Sequence, residues 1–266
     1  MSAVDGTRVV AVDWSGRRTG ARNHIYLAEA AGGTLLRVEA GRTREEVAEH
    51  LVELSHHDAN LVVGLDFSFS LPSWYLDEEG LSSADALWAA AAVDGERWLR
   101  DCERPWWGRP GRRRPELPGH FRATELALGA VGGISPKSTF QVGGAGAVGT
   151  GSVRGFPVLA VLRSEGFAVW PFHEPATPPV AVEIYPRALT GPVVKTDHAA
   201  RAAYLAEHLP ELAPELRATA SGSEDAFDAA VSAVVMSRHT DALSALPPAV
   251  DETTRREGCV WVPLSR

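Results

Sequence analysis

Through the first forty residues, apolar and polar positions alternate in short runs rich in β-branched side chains. "RVVAVDW" (8–14), "NHIYLAEA" (23–30) and "TLLRVEA" (34–40) each read as a strand, with "GG" (32–33) turning the chain between the last two. Three sequential strands joined this way predict an antiparallel meander. From Thr43 the period lengthens. In "TREEVAEHLVELSHH" (43–57), Val47, Leu51 and Leu54 share one helical face, and Thr43 with Glu46 forms a capping-box signature. "LVVGLDF" (61–67) then returns to a nearly unbroken apolar run, the pattern of a strand covered on both faces at the centre of a sheet.

Past residue 71 the pattern loosens. Helical spacing is predicted over 83–101 and 121–131, separated by "ERPWWGRPGRRRPELPG" (103–119) and followed by the glycine-rich "GGISPKSTFQVGGAGAVGTGSVRG" (132–155). Residues 71–155 read as an insertion after the fourth strand, within a single domain spanning 1–266. Beyond it the pattern predicts a helix over 156–166 and strands over 167–172 and 180–186, the second ended by Pro186. Helices over 196–209 and 223–239 and a late strand over 258–264 complete the chain. The fold class is α/β: a mixed sheet, three-strand meander plus parallel strands, flanked by helices.

Composition narrows the function more than the fold. A formal net charge of −8 leaves no global basic field of the kind that marks histone-like or repressor-like proteins. Cys102 and Cys259 are too few for a disulfide scaffold or a thiolate zinc site. No apolar run has membrane-spanning length and no signal segment opens the chain, so the expectation is a cytoplasmic protein without a membrane partner.

The chemistry lies at the strand ends. "RVVAVDWSG" and "LVVGLDFSF" are built for burial, yet each closes on an aspartate, Asp13 and Asp66. Ligands of open α/β sheets bind at that carboxyl edge. Glu183 interrupts a third strand, and Asp225 and Asp228, spaced i, i+3, project from one side of a late helix. Singly, such residues also make turns or favour a helix dipole. Together they converge like charges, and two of these about 4 Å apart repel by roughly 4 kcal/mol at an effective dielectric near 20. Such a cluster needs raised pKa values or a cation, and all-oxygen donors suit Mg²⁺ or Mn²⁺.

These residues also carry a resemblance. "VVAVDWSG", "VVGLDFSFSLP", "STFQVGGAGAVGTGSVRGFPVLAVL", "VWPF", "VEIYPRAL", "EDAFDAAVSAV" and "EGCVWVP" are similar to the family catalogued as domain of unknown function 429, regarded as predicted nucleases of the ribonuclease-H-like superfamily. The likeness runs from Arg8 to Pro263, and the "DAFDA" helix is also similar to that of the resolvase-type subgroup. It implies a ribonuclease-H-like sheet and a metal-dependent nuclease. It matches Asp13 to a metal ligand on the first strand, Asp66 to the acid ending the fourth, and Asp225 with Asp228 to the acidic pair of the last helix. Glu183 matches the glutamate of the family's "E-x-x-P" strand. The chain departs from the resolvase-type pattern at Glu224, where relatives often carry histidine. The first helix has Glu45, Glu46 and Glu49 but no clear counterpart of the ligand that ribonuclease H places there.

The expectation is two-metal phosphodiester hydrolysis: Asp13, Asp66, Asp225 and Asp228 as ligands, and Glu183 as a ligand or water-orienting group. Lys137 or an insertion arginine would neutralise the phosphate. Arg97, Arg100, Arg104, Arg109, Arg112, Arg113, Arg114 and Arg122, with Trp98, Trp106 and Trp107, could form a lip for a nucleic-acid strand, or a solvated loop whose arginines pair with surface acids. "GAGAVG" (144–149) matches a dinucleotide fingerprint only formally, because Gly151, Gly155 and Pro157 break the residues that would have to be helical, and it reads as a flexible flap. His56 and His57 read as a solvated helix end. Two other functions compete: an ATPase or kinase of the actin/hexokinase type, whose first phosphate loop "DWSG" resembles, and a non-catalytic module binding metal or nucleic acid.

Overall fold

The computed structural model describes residues 7–263. Its strands are β1 (Val9–Asp13), β2 (Tyr26–Ala31), β3 (Thr34–Glu39), β4 (Val62–Leu65), β5 (Ala168–Val169) and β6 (Val180–Glu183). Its α-helices are α1 (Arg44–His57), α2 (Ser73–Glu78), α3 (Ala84–Asp101), α4 (Ala123–Leu128), α5 (Gly149–Ser164), α6 (Pro186–Thr190), α7 (His198–His208), α8 (Pro214–Gly222), α9 (Glu224–Ser237), α10 (Thr240–Ser244) and α11 (Glu252–Glu257).

The six strands make one sheet in the order β3-β2-β1-β4-β6-β5. β1 pairs antiparallel with β2 and β2 with β3, the predicted meander, while β1, β4, β6 and β5 run parallel. Val12 lies opposite Leu65, and Leu65 opposite Glu183. The three central parallel strands therefore stop together, and that register delivers Asp13, Asp66 and Glu183 to one edge.

Side chains alternate across the sheet. Val10, Val12, Trp14, Val63, Leu65 and Ala181 pack on the face covered by α1, α3 and α5. Val9, Ala11, Val62, Val180 and Val182 pack on the other, under α9. That helix lays Ala226, Ala229, Ala230 and Ala233 on the strands, which lets the backbones approach closely. Gly64 answers them from the sheet, where a Cβ would sit 2.6 Å from Met236 Sδ. Burying Phe227 completely in this layer contributes about 1.5–3 kcal/mol. At α1 the capping box forms: Glu46 N–H donates to Thr43 Oγ1 at 3.2 Å and Thr43 N–H to Glu46 Oε2 at 2.7 Å.

Several expectations change. Gly151, Gly155 and Pro157 do not break the chain but lie inside α5, which starts at Gly149. The glycines serve contact: a Cβ at Gly155 would stand 2.4 Å from the Phe67 ring, and one at Gly16 would stand 2.5 Å from Gly151 N. Residues 144–148 alone remain as the loop read as a flap. The boundary at 155 thus falls within a helix, and residues 71–155 share one core with β1 and β4 through Leu71, Leu76, Leu87, Trp88 and Phe140. The late strand shrinks to a bridge between Val260 and Glu183. Helix α4 is one turn shorter at its end than the spacing predicts, because Gly129 stops it at positive φ. Among the described residues no helix is long and apolar enough to cross a membrane.

Candidate active site

Strand parity decides which carboxylates meet. Asp13 continues the Val9–Ala11 series and Asp66 the Val62–Gly64 series, so both face the α9 side. The first turns of α9 bring Asp225 and Asp228 to the same rim, with Ser223 capping the helix at Ala226 N–H, 3.0 Å. The charges sense one another. Burial first, then Asp66, Asp228 and Asp225, hold Asp13 well above the usual carboxylate range. Asp66 is pushed up to about 8 by burial and by Asp228. Neither carboxyl takes a hydrogen bond from any described residue. Asp225 instead faces His24, with Oδ2 3.3 Å from Nδ1.

One cation is in direct contact with this group, with Arg187 acting on Asp228 from further off, and the strand-and-helix reading missed it. Lys195 is 6% exposed, and its Nζ lies 2.6 Å from Asp228 Oδ1 and 2.8 Å from Oδ2. Burial raises Asp228 while Lys195 draws it back down, and the same ammonium opposes the rise of Asp13 and Asp66. A sequence signal was available: the chain uses arginine for nearly every cation and has two lysines, Lys137 and Lys195.

Glu183 lies on the other face of the sheet edge, though its charge still helps to raise Asp66. It shares its face with Ala181, opposite α9, and is held by the fully buried Arg122: Nη2 to Oε1 at 2.5 Å and Nη1 to Oε2 at 2.9 Å. Its Oε2 also accepts the Phe69 N–H at 2.8 Å. Burial works against the Arg122 charge, but Glu125 and Glu183 outweigh it and hold the guanidinium firmly protonated. Arg122 therefore leaves the group of arginines read as strand contacts. Its job is to fix Glu183, which in turn fixes the loop just after Asp66.

A cleft of about 230 Å³ opens beside Asp66, lined by Trp14, Phe67, Lys137, Val148, Glu183 and Tyr185. The exposed Lys137 stands at its wall. The arginine-rich loop divides. Arg97, Arg100 and Arg104 pair with Asp94, Asp101 and Glu78, as solvated ion pairs do. Arg109, Arg112 and Arg113 are exposed and make no ion pair with any described residue. Trp106 is not a stacking platform: it is buried, stacked on Trp98 at 6.0 Å and edge-on to Phe140 at 5.4 Å. Trp107 is half-buried, with the Arg114 guanidinium over its ring at 5.7 Å.

Among the described residues, no three carboxyl, imidazole or thiol side chains stand ready as an ion cage. Mg²⁺ does not need one, since it keeps several waters and binds through one or two carboxylates plus substrate phosphates. The buried Asp13 and the half-buried Asp66 offer hard oxygen donors of that kind, short of positive charge. Compared with protein-family models, with curated proteins and with solved structures, the chain matches none.

Proposed function

We propose that this protein is a metal-dependent nuclease of ribonuclease-H-like fold, hydrolysing phosphodiester bonds at the carboxyl edge of the sheet. The observation that carries the reading is the gathering of Asp13, Asp66, Asp225 and Asp228 on one face of that edge, with the carboxyls of the buried Asp13 and the half-buried Asp66 raised by desolvation and by the helix acids. Such a concentration of carboxylates perturbing one another at the carboxyl edge of a sheet is the pattern of a functional site. The meander, the parallel strand beside β1 and the acidic helix across it support the fold family.

Asp13 and Asp66 would hold Mg²⁺ or Mn²⁺, which when bound supplies Lewis acidity and a water of lowered pKa. Asp225 and Asp228 stand beside them and Lys195 keeps Asp228 in place. Lys137 offers a positive charge to a phosphate entering the cleft. Arg109, Arg112 and Arg113, beside the half-buried Trp107, would track a DNA or RNA strand further out. Glu183, locked by Arg122, keeps the Asp66 loop still.

The phosphate-loop alternative has less support, because Gly16 of "DWSG" is packed against Thr150 and Gly151. The test is cleavage of single-stranded, duplex and branched oligonucleotides in Mg²⁺ and Mn²⁺. Asp13→Asn and Asp66→Asn should each lower turnover at least about 100-fold, with the fold retained by circular dichroism. Unchanged turnover in both variants would reject the site. Ion binding without cleavage of any substrate would favour the non-catalytic module.

A further inference from the structure

Both lysines of this chain stand at the same edge: Lys137 in the cleft wall and Lys195 against Asp228. Lysine is among the residues least often buried, and here the loop that carries it is fastened from two sides. Arg201 Nη1 donates to the Lys195 carbonyl, and Arg201 Nε to Ser221 O at 2.9 Å. Arg187 Nη1 donates to Val193 O at 2.7 Å and Gly191 O at 3.3 Å. The ammonium is thus held at a set position in the carboxylate group.

We propose that the Lys195 ammonium stands in for one cation of a paired-ion centre, so that this edge takes a single divalent ion, held by Asp13 and Asp66. The proposal rests on the metal-dependent reading above. Lys195 Nζ donates to Asp228 Oδ2 at 2.8 Å and stands 2.6 Å from Oδ1, so a second ion approaching this carboxylate would meet the ammonium's charge. Asp225 is turned to His24 at 3.3 Å. Asp13 and Asp66 are the two acids of the group that no described cation contacts, and two carboxylates completed by water and phosphate oxygens suit one Mg²⁺. No third acid is set close enough to enlarge the cage among the described residues. Lys195 acts through Asp228 and is a positioning residue.

Counting Mn²⁺ ions decides this, by paramagnetic resonance of free Mn²⁺ and by calorimetry on the full chain. Wild type should take one Mn²⁺ per chain, Lys195→Arg one, and Lys195→Met two. Two ions on wild type, or one on a folded Lys195→Met, would overturn the proposal. Should Lys195→Met fail to fold, Asp228→Asn decides: it should still bind one Mn²⁺, and its loss of the ion would overturn the assignment. No Mn²⁺ on wild type would remove the metal-dependent reading itself, whereas two would remove this inference alone.

Discussion

Arg122 and Glu183, 61 residues apart in sequence, meet through paired hydrogen bonds of 2.5 and 2.9 Å inside the protein. Arg122 also takes Glu125 Oε1 at 2.5 Å and the Glu257 carbonyl at 2.9 Å. The Glu257 side chain accepts the Ser73 and Ala123 N–H groups, both at 2.7 Å. One guanidinium therefore ties β6, α4 and α11 together, with α2 joined through Glu257. Removing a single member of a buried ion group leaves charge without compensation, at about 3–5 kcal/mol. Arg122→Met should show that loss in urea unfolding. Adding Glu125→Gln and Glu183→Gln to it should recover part, and a single variant within about 1 kcal/mol of wild type would disprove the account.

The aspartates set a pH dependence. With Asp66 at about 8 in the folded chain, against about 3.9 when unfolded, the folded state keeps its proton longer. Stability is then unaffected by this group below about pH 4, falls as pH rises, and has lost the full amount above about pH 8. In EDTA the thermal midpoint should decline between about pH 5 and pH 9, and Asp66→Asn should flatten the decline. Mg²⁺ should restore most of the midpoint at the alkaline end. A flat profile for metal-free wild type would contradict the burial of this carboxyl.

Gly155 offers a packing test away from the acids. A Cβ there would press on the Phe67 ring at 2.4 Å, and crowding of this kind in a filled core costs about 1–3 kcal/mol. Gly155→Ala should lower stability by that much despite alanine's better helix propensity. Gly166→Ala is the contrasting case, since no atom lies within 4 Å and only its φ of +93° opposes the change.

The exposed arginines give a salt signature. Replacing Arg109, Arg112 and Arg113 with glutamine should weaken oligonucleotide binding evenly across sequences. The slope of log affinity against log salt should shrink by about two on single strands. Trp106→Leu should destabilise the fold while leaving the affinity of the folded fraction unchanged, because its ring faces are taken by Trp98 and Phe140. Unaltered affinity in the arginine variant would place the nucleic-acid path elsewhere.

Much of this was readable from local pattern. Alternation located β1 to β4, the Thr43–Glu46 box located α1, and the strand ends located Asp13 and Asp66 at one edge of the sheet. Helix α5 was hidden because glycine and proline read as breakers when their use is to let Trp14, Gly16 and Phe67 come close. Glu183 read as a fifth active-site acid, and nothing nearby in sequence discloses that Arg122 holds it. Lys195 likewise reaches Asp228 only through tertiary folding, 33 residues on. Local pattern finds the donors; the counter-charges come from distant parts of the chain.

That order of charges bears on biosynthesis. A ribosome releases Asp13 and Asp66 early, but Lys195 and helix α9 emerge only in the last third of the chain, and β6 must first slot beside β4. Until then the nascent sheet has one bare face, with Asp13 and Asp66 at its edge and no Lys195 nearby, so chains cut before Glu224 should fail to settle into a stable fold.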